Sequence, residues 1–291
     1  MAEEINYKKK KILTVLAHPD DESFGMGGTL ALYAQKGVDV QLVCATRGEL
    51  GEVDPEYKAV ENESAACLRT QELRCAADAL GINQLYFLNY RDSGMEGSQD
   101  NHHPKALAAQ PMERVAEEVA HLIRRVKPDV VLTFDPIGGY RHPDHIAIQR
   151  ATVRAFELAA DRNFHDPEGL LPHRPEFLYF HTMSKAFLKI AVWVMRLIGQ
   201  DPHQFGRNND IDLVSLTEVE FPTHVKVNYR VVKERKEQAA RCHASQGGAQ
   251  MNKGFRGFIT RLFGGTNETF MQAYPVPEAG AKMKRDLFVG G

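Results

Sequence analysis

The sequence predicts an α/β protein with a mostly parallel sheet and helices on both faces of that sheet. Through the first 180 residues, apolar runs typical of buried strands alternate with segments of helical periodicity, which is the pattern of successive βαβ units. A polar loop follows most of the predicted strands. Because the carboxyl ends of parallel strands lie along one edge of a sheet, we expect these loops to converge and to form the functional site.

The first βαβ unit has the clearest pattern. A run rich in isoleucine, leucine and valine over residues 11–17 predicts a buried strand. The helix that follows has an apolar face and is expected to end at Gly37, because glycine readily adopts the left-handed conformation that ends helices. A second strand is predicted over residues 38–46, and it runs into a polar loop with two glycines.

A long helix and a third strand continue the alternation. The helix is predicted over residues 60–80, with Gly81 as its C-cap. The third strand is predicted over residues 85–88. Residues 96–104 are rich in glycine, serine, asparagine and histidine, and we expect this stretch to be mobile.

Two further strands complete the predicted parallel sheet. Apolar residues at helical spacing predict a helix over residues 111–126, followed by a strand over residues 129–134. Pro143 suits the first turn of the next helix, which is expected to run to about residue 160. The fifth strand is predicted over residues 176–181.

The last third of the chain is less regular. Residues 187–198 are strongly apolar but too few to span a bilayer. Three interpretations of this segment stay open: a core or dimer-interface helix, a cover over the substrate, or a helix lying on a membrane surface. A strand over residues 223–227 and a charged helix over residues 231–243 are predicted after it.

The composition is that of an ordinary globular protein, with 43% hydrophobic and 25% charged residues. A length of 291 residues is about the upper limit for one hydrophobic core, and we find no internal repeat and no convincing domain boundary. We therefore predict a single domain over residues 1–291, with a core at about 11–246 and a C-terminal extension at 247–291.

Charge and cysteine content limit the partners and the location of the protein. A formal net charge of −2 gives no reason to expect a nucleic-acid partner. Four cysteines without a Cys-x-x-Cys pair argue against a disulfide framework and against a cysteine zinc site. The sequence has no signal-peptide pattern and no transmembrane segment, so a reducing, cytoplasmic location is predicted.

A histidine and three carboxylates crowd the end of the first predicted strand, in the stretch His18-Pro19-Asp20-Asp21-Glu22. Packing gives no reason to place three acids together, because their mutual repulsion costs stability, and a bound cation would offset that cost. His18 and Asp21 are three residues apart and could reach one metal ion. Asp20 would then lie beside the ion without binding it.

The stretch His142-Pro143-Asp144-His145 follows the fourth predicted strand and supplies a second half-site. Either motif alone would more often be a turn or a surface feature, but both lie at the ends of predicted parallel strands. His145 together with His18 and Asp21 gives two imidazoles and one carboxylate, which is an open zinc set with room for water. The same set suits iron(II), so the identity of the metal stays open.

The remaining polar residues of the two motifs suit hydrolysis. Asp20 is placed to take the proton of a metal-activated water, and His142 is free to stabilise an oxyanion or to protonate a leaving amine. Asp144 could hold His142 in its charged form, as a carboxylate does for a catalytic imidazole.

These two motifs resemble the signatures of the LmbE-like, PIG-L-type zinc-dependent N-acetylglucosaminyl deacetylases. Supporting matches lie at Thr46-Arg47-Gly48-Glu49, at Arg91-Asp92-Ser93-Gly94-Met95 and at the late His243-Ala244-Ser245-Gln246. The resemblance covers about residues 11–246. It implies a Rossmann-like three-layer fold and the hydrolysis of a small acetamido sugar to an amine and acetate.

The resemblance also implies roles for individual residues by motif position. Zinc ligands would be His18, Asp21 and His145, the general base would be Asp20, and His142 tuned by Asp144 would assist at the oxyanion or amine. The stretch Gly139-Tyr140-Arg141 is similar to the matching stretch in one branch of the family, which deacetylates glucosaminyl-inositol and glucosaminyl-malate in low-molecular-weight thiol synthesis. In that branch, the tyrosine at the Tyr140 position assists the tetrahedral intermediate.

Three further matches leave alternatives open. Arg69 and Asp92 match positions that hold sugar hydroxyls or a phosphate or acid tail in that branch. An Arg-x-x-Glu pair such as Arg69 and Glu72 is, however, usually a surface ion pair on a helix. His243 either lines the site or lies outside it.

Other functions remain to be weighed against sugar deacetylation. A zinc amidase acting on a thiol conjugate or an antibiotic sugar would use the same chemistry. A dinucleotide-binding oxidoreductase is disfavoured, because Gly25-Met26-Gly27-Gly28 is not G-x-G-x-x-G and the acids before it would repel phosphate. A metal-binding module without catalysis is disfavoured, because Asp20 and His142 add nothing to metal binding. The sequence does not decide whether the protein is a homo-oligomer.

Overall fold

A computed structural model describes residues 5–51, 64–183, 185–205, 211–248 and 265–289. Seven strands form one mixed sheet in the order β3-β2-β1-β4-β5-β7-β6. The strands are β1 Lys11–Leu16, β2 Asp39–Thr46, β3 Gln84–Tyr90, β4 Val130–Phe134, β5 Phe177–Thr182, β6 Val225–Asn228 and β7 Asn267–Tyr274. The α-helices are α1 Gly27–Gln35, α2 Ala65–Leu80, α3 Met112–Val126, α4 Gly138–Arg141, α5 Pro143–Ala160, α6 Lys185–Leu197, α7 Leu213–Leu216 and α8 Lys233–Cys242.

The predicted fold class is confirmed. Strands β1 to β5 pair in parallel, and the near-continuous apolar character of the central strands β1 and β4 reflects burial on both faces of the sheet, whereas the edge strand β3 is only partly buried. The crossovers through α1 and α2 step in one direction along the sheet, and those through α3 and α5 step in the other. Because such crossovers are almost always right-handed, the two helix pairs cover opposite faces of the sheet. Helix α3 packs on α5 in one layer, and α2 packs on α8 in the other.

The strand order places a crevice at the carboxyl ends of β1 and β4. Strand β1 pairs with β2 on one side and with β4 on the other, so the connections that leave β1 and β4 diverge to opposite faces. Ligands in open α/β sheets bind at such a switch point. The loops after β1 and β4 carry the two histidine motifs, which explains why they meet.

The sequence predicts that the chain after residue 246 is a C-terminal extension, but part of this segment contributes a strand to the sheet. Strand β7 lies antiparallel between β5 and β6, so part of this segment belongs to the sheet. Its buried positions include Glu268 and Gln272 as well as Phe270. Two polar residues on the buried face hide the alternating apolar pattern that would have revealed the strand.

Residues 96–104 form defined contacts instead of the mobile stretch predicted from composition. A short 3-10 helix spans Gln99–His102. The Asn101 side chain donates hydrogen bonds to the carbonyls of Ser93 (2.6 Å) and Met95 (3.1 Å), and Arg91 pairs with Asp100 at 2.7 Å. Asn101, one of the polar residues on which the prediction of mobility rested, thus makes some of these contacts.

Helix α6 buries one face and exposes the other. Leu188, Val192 and Met195 join residues of α7 in a small apolar cluster, against which Tyr140 packs. Trp193 and Leu197 on the other face are 61% and 64% exposed. The helix is thus a core element on one side, while the interpretation as a substrate cover stays a prediction. In the parts of the chain that the structure describes, α6 and every other helix are too short or too polar to cross a membrane.

A disulfide joins Cys75 on α2 to Cys242 at the end of α8, contrary to the expectation from the cysteine pattern. The two cysteines are 167 residues apart in sequence, so spacing gave no indication of the bond. It forms because α2 and α8 pack side by side on one face of the sheet.

Replacing both Cys75 and Cys242 by serine is expected to lower the free energy of unfolding by about 2–4 kcal/mol, because the crosslink restricts a long loop in the unfolded chain. Chemical denaturation of the oxidised protein, the reduced protein and the double variant measures the effect. Cys67→Ser is the control, since Cys67 lies outside the disulfide and is exposed. Identical midpoints for oxidised and reduced protein would contradict the prediction.

Candidate metal centre

The loop after β1 presents His18 and Asp21 side by side. The backbone N–H of His18 donates to Asp21 Oδ2 at 2.7 Å, which turns the Asp21 carboxylate back towards the histidine ring. The second motif follows the short helix α4, which lies in the connection that leaves β4, and His142 is the N-cap of α5. His145 therefore lies on the first turn of α5 and faces the β1 loop.

The three predicted ligands meet in a buried cluster. His18 Nδ1 lies 3.2 Å from His145 Nε2, and Asp21 places one carboxylate oxygen 3.2 Å from His145 Nε2 and the other 3.7 Å from His18 Nδ1. Two nitrogen ligands of a tetrahedral zinc ion, each about 2.0–2.1 Å from the metal, lie roughly 3.3 Å apart. The spacing of these donor atoms therefore fits one metal ion.

In the His18 and His145 rings, the nitrogen that faces away from the cluster has a hydrogen-bond partner, which leaves the other nitrogen available to a metal ion. His145 Nδ1 lies 3.2 Å from the Gly138 carbonyl, and His18 Nε2 lies 3.1 Å from Asp144 Oδ2. A carbonyl and an ionised carboxylate only accept, so these contacts assign the ring protons to His145 Nδ1 and His18 Nε2. The lone pairs of the other two nitrogens then face each other, and such an arrangement requires a cation or a proton between them.

The electrostatics of the cluster favour a positive charge. Burial acts to lower the pKa of His18, but Asp92, Asp144 and Asp21 outweigh it and raise that pKa well above its usual range. Burial likewise opposes ionisation of Asp21, yet His145 and His18 hold its pKa well below the usual range. Buried carboxylates around bare imidazole nitrogens are typical of a cation site.

His142 lies close enough to be considered as a ligand, since the nitrogen atoms of His18, His142 and His145 lie within 4.8 Å of one another. However, His142 Nδ1 accepts the backbone N–H of Asp144 at 3.1 Å. A neutral imidazole that accepts at Nδ1 carries its proton on Nε2, which leaves no free lone pair for a metal. Burial, together with His18 and His145, lowers the pKa of His142, so the ring favours this neutral form.

Asp144 has a different partner from the one expected from sequence. Its carboxylate contacts His18 Nε2 and accepts hydrogen bonds from the backbone N–H (2.9 Å) and the hydroxyl of Ser93. The predicted contact with the charged form of His142 is therefore corrected. The reason is local: the N-cap side chain of His142 folds over the helix end, while Asp144 in the first turn points towards β1.

Asp20 is held in an unusual conformation beside the cluster. Its φ of 121° lies in the region that favours glycine. Its carboxylate accepts a hydrogen bond from Arg69 Nη2 at 3.1 Å, and its backbone N–H donates to Glu22 Oε2 at 3.1 Å. Burial raises the pKa of Asp20 to about 6, against the opposing effect of Arg69. A carboxylate with a raised pKa is better suited to accept a proton.

Arg69 supports the loop that carries Asp20. It is 4% exposed, and besides Asp20 it donates to the carbonyls of Pro19 (2.7 Å) and Gly48 (2.9 Å). The surface ion pair considered from sequence is not formed, because Glu72 is also buried and instead accepts two hydrogen bonds from Ser245. The structure gives Arg69 no described contact that marks it as a substrate residue.

The structure also brings Asp92 and Tyr140 to the cluster. Asp92 Oδ1 lies 3.6 Å from His18 Nε2 and accepts the backbone N–H of Gly94 at 2.9 Å. The Tyr140 ring stands edge-on to His145, with ring centroids 4.9 Å apart. Both residues thus border the predicted metal ligands, and their predicted contacts with substrate stay predictions.

Sequence reasoning gave no role to Glu22 and left the place of His243 open. Both side chains are fully buried, and His243 Nε2 lies 2.7 Å from Glu22 Oε1 behind Asp20. The signal available in sequence was the position of Glu22 directly after the ligand motif. His243 follows it 221 residues later, so only the fold reveals the pair.

Comparisons with known proteins agree with these features. A family model described as PIG-L: GlcNAc-PI de-N-acetylase matches residues 13–156. The chain is 44% identical over 184 residues to a 1D-myo-inositol 2-acetamido-2-deoxy-alpha-D-glucopyranoside deacetylase from Kineococcus radiotolerans, covering 58% of this chain and 51% of that protein. It is 38% identical over 245 residues to the protein of the same description from Thermomonospora curvata, covering 81% and 80% of the two chains.

A solved structure shares the fold. The N,N'-diacetylchitobiose deacetylase from Pyrococcus horikoshii superposes with a TM-score of 0.63 at 24% identity, covering 92% of this chain and 85% of that chain. At this identity the likeness concerns the fold alone. The chain spans about half the length of the Kineococcus relative and four fifths of the Thermomonospora relative.

Proposed function

Because the chain belongs to the PIG-L family of GlcNAc-PI de-N-acetylases, we propose that it is a metal-dependent hydrolase acting on an N-acetylglucosamine-type sugar conjugate. It would remove the N-acetyl group and release acetate and a free amine. One observation carries the proposal: a buried cluster of two imidazoles and one carboxylate lies beside Asp20, a carboxylate with no part in the ligand set. Metal binding alone does not require such a neighbour.

His18, Asp21 and His145 would hold the metal, for which zinc is our first choice and iron(II) the alternative. When bound, the ion would supply Lewis acidity for the substrate carbonyl and would lower the pKa of a water. The Asp144 carboxylate, 3.1 Å from His18 Nε2, would fix the tautomer of His18 that leaves Nδ1 available to a metal ion.

The protein's own groups would move the protons. Asp20 takes the proton of the attacking water, and the Arg69 guanidinium orients its carboxylate. His142 offers its Nε2–H to the developing oxyanion or to the leaving amine, because its Nδ1 is already engaged by the Asp144 N–H. Tyr140, edge-on to His145, would assist at the tetrahedral intermediate.

The conjugate is proposed from the relatives. Both curated relatives described above are named as deacetylases of an inositol glucosaminide, so we propose N-acetylglucosaminyl-inositol as the first substrate to test. Arg69 and Asp92 would contribute to sugar binding in addition to their contacts within the protein, which for Arg69 include the Pro19 carbonyl and for Asp92 include His18. A cytoplasmic location and a homo-oligomer remain predictions from sequence.

The deciding experiment measures acetate release and metal content on the same purified sample. The substrates are N-acetylglucosamine, N-acetylglucosaminyl-malate and N-acetylglucosaminyl-inositol, each with and without chelator. We expect chelator-sensitive acetate from the inositol conjugate. Bound metal without acetate from any of the three would move the substrate to another amide, such as a thiol conjugate or an antibiotic sugar. A protein that binds no metal after reconstitution would refute the proposed function.

A further inference from the structure

We propose that Glu22 and His243 form a positioning pair that holds Asp20 in its catalytic conformation. The proposal rests on the proposed function, because it assigns Asp20 as the base. It concerns two buried residues outside the predicted ligand set, of which Glu22 directly follows the predicted ligand Asp21 in the chain. Their contacts lead to Asp20 through hydrogen bonds alone.

The first step of the argument is the backbone of Asp20. A φ of 121° is rarely adopted by residues other than glycine, and it persists only where the surroundings enforce it. The Asp20 carbonyl accepts the backbone N–H groups of Ser23 and Phe24, each at 3.0 Å. Two side chains hold the preceding peptide: Glu22 Oε2 accepts the Asp20 N–H at 3.1 Å, and Arg69 Nη2 donates to the Pro19 carbonyl at 2.7 Å. The peptide before Asp20 is therefore held at its carbonyl and at its N–H.

The second step is the burial of Glu22. Its side chain is fully buried, and a buried carboxylate is costly unless it is paired and hydrogen-bonded. Its Oε1 accepts from the Ser23 hydroxyl at 2.6 Å and lies 2.7 Å from His243 Nε2. His243 thus supplies the pairing that allows Glu22 to turn its other oxygen to Asp20.

The third step is the anchoring of His243. Its neighbour Cys242 is bonded to Cys75 on α2, and Ser245 donates its backbone N–H and its hydroxyl to Glu72, each at 2.7 Å. Residues three positions apart are neighbours on a helix surface. Arg69 and Glu72 are neighbours in this way, and so are Glu72 and Cys75, so α2 holds both the Asp20 loop and the His243 segment.

The network is separate from the metal ligands. Asp21 is turned towards His18 by the His18 N–H, which is a different hydrogen bond from those of Glu22. Loss of the pair should therefore disturb Asp20 while the metal stays bound. The expected signature is a fall in kcat with metal content and KM unchanged.

The test compares Glu22→Leu with Glu22→Gln, and His243→Leu with His243→Gln. A misplacement of about 1 Å at a reacting group can cost about 100-fold in rate, so we expect kcat to fall about 100-fold in the leucine variants. The glutamine variants keep a polar side chain that can hydrogen-bond to the other member of the pair, and in Glu22→Gln also to the Asp20 N–H. We expect them to have most of the wild-type activity. Metal content should match the wild type in all four.

The control uses a similar pair outside the site. The Asp166 side chain is 1% exposed and contacts His121 on α3 at 2.9 Å. Asp166→Leu and Asp166→Asn therefore repeat the same chemical changes at a histidine–carboxylate pair that contacts none of the predicted site residues. These variants should lose stability but keep kcat.

Crystal structures of the wild type and of Glu22→Leu provide a readout that does not depend on the substrate. We expect Asp20 to leave its positive φ in the variant and its carboxylate to leave Arg69. An unchanged Asp20 would overturn the proposal even if the wild type released no acetate, an outcome that would separately refute the proposed function. Loss of metal, or a rise in KM with kcat unchanged, would also overturn it.

Discussion

Replacing Asp20 by asparagine is expected to lower kcat by about 10²–10⁴-fold, which is the usual contribution of a general base. The change is nearly isosteric, and the amide oxygen can still accept the hydrogen bond from Arg69 Nη2 that the carboxylate accepts at 3.1 Å. Position is thus kept while basicity is lost. Steady-state acetate release with metal analysis on the same sample measures the effect, and metal content should stay at the wild-type level.

The control for this substitution is Asp100→Asn, which removes a carboxylate charge from the partly exposed pair with Arg91. It should leave kcat unchanged. Asp20→Ala extends the comparison by removing the hydrogen bond to Arg69 as well. Hydrolysis that persists in both Asp20 variants would show that another group takes the proton, and the base would have to be reassigned.

Replacing His145 by alanine is expected to remove the metal and the activity together. His145 Nε2 lies 3.2 Å from both His18 Nδ1 and Asp21 Oδ1, so its loss leaves one imidazole and one carboxylate. Two protein ligands do not complete a zinc site. We expect metal content below about one tenth of the wild-type value after dialysis, with acetate release at background.

His173→Ala is the matched control, because His173 is bound to the Pro128 carbonyl at 2.7 Å and belongs to no predicted site. Metal content and kcat should both be retained in this variant. Metal that remains in His145→Ala at the wild-type level would point to an alternative set without His145, formed by His18, Asp92 and Asp144. Together with the Asp20 variants, this pair separates an enzyme from a metal-binding module.

Local pattern was sufficient for the parallel half of the sheet. The central strands β1 and β4 are apolar runs because both of their faces are covered, and the helices between the parallel strands have caps such as Gly81, whose φ is 79°. Strand β7 could not be recognised in this way. Glu268 lies on its buried face because it accepts the backbone N–H groups of Gly28 (3.0 Å) and Thr29 (2.6 Å), a need created by another part of the chain.

The candidate site likewise has features that the sequence predicts and features that only the fold reveals. The residue types of a metal centre, and the loops that carry them, follow from the sequence, since the ends of parallel strands converge. The partner of each side chain does not. Asp144 is two residues from His142 yet binds His18, which is 126 residues away. The sequence suggests that Arg69 forms a surface ion pair, yet in the structure Arg69 is 4% exposed and donates a hydrogen bond to Asp20.

What the sequence determined by itself is the α/β fold, the two motifs and the family to which they belong, because these depend on residue type, periodicity and short spacing. Tertiary structure decided which nitrogen of each histidine is bare, how Asp20 is held, and that Glu22 meets His243. It also decided the Cys75–Cys242 bond. The physical reason is that hydrogen bonds and crosslinks join groups far apart in the chain, and only the packing of α2, α8 and the sheet brings those groups within reach.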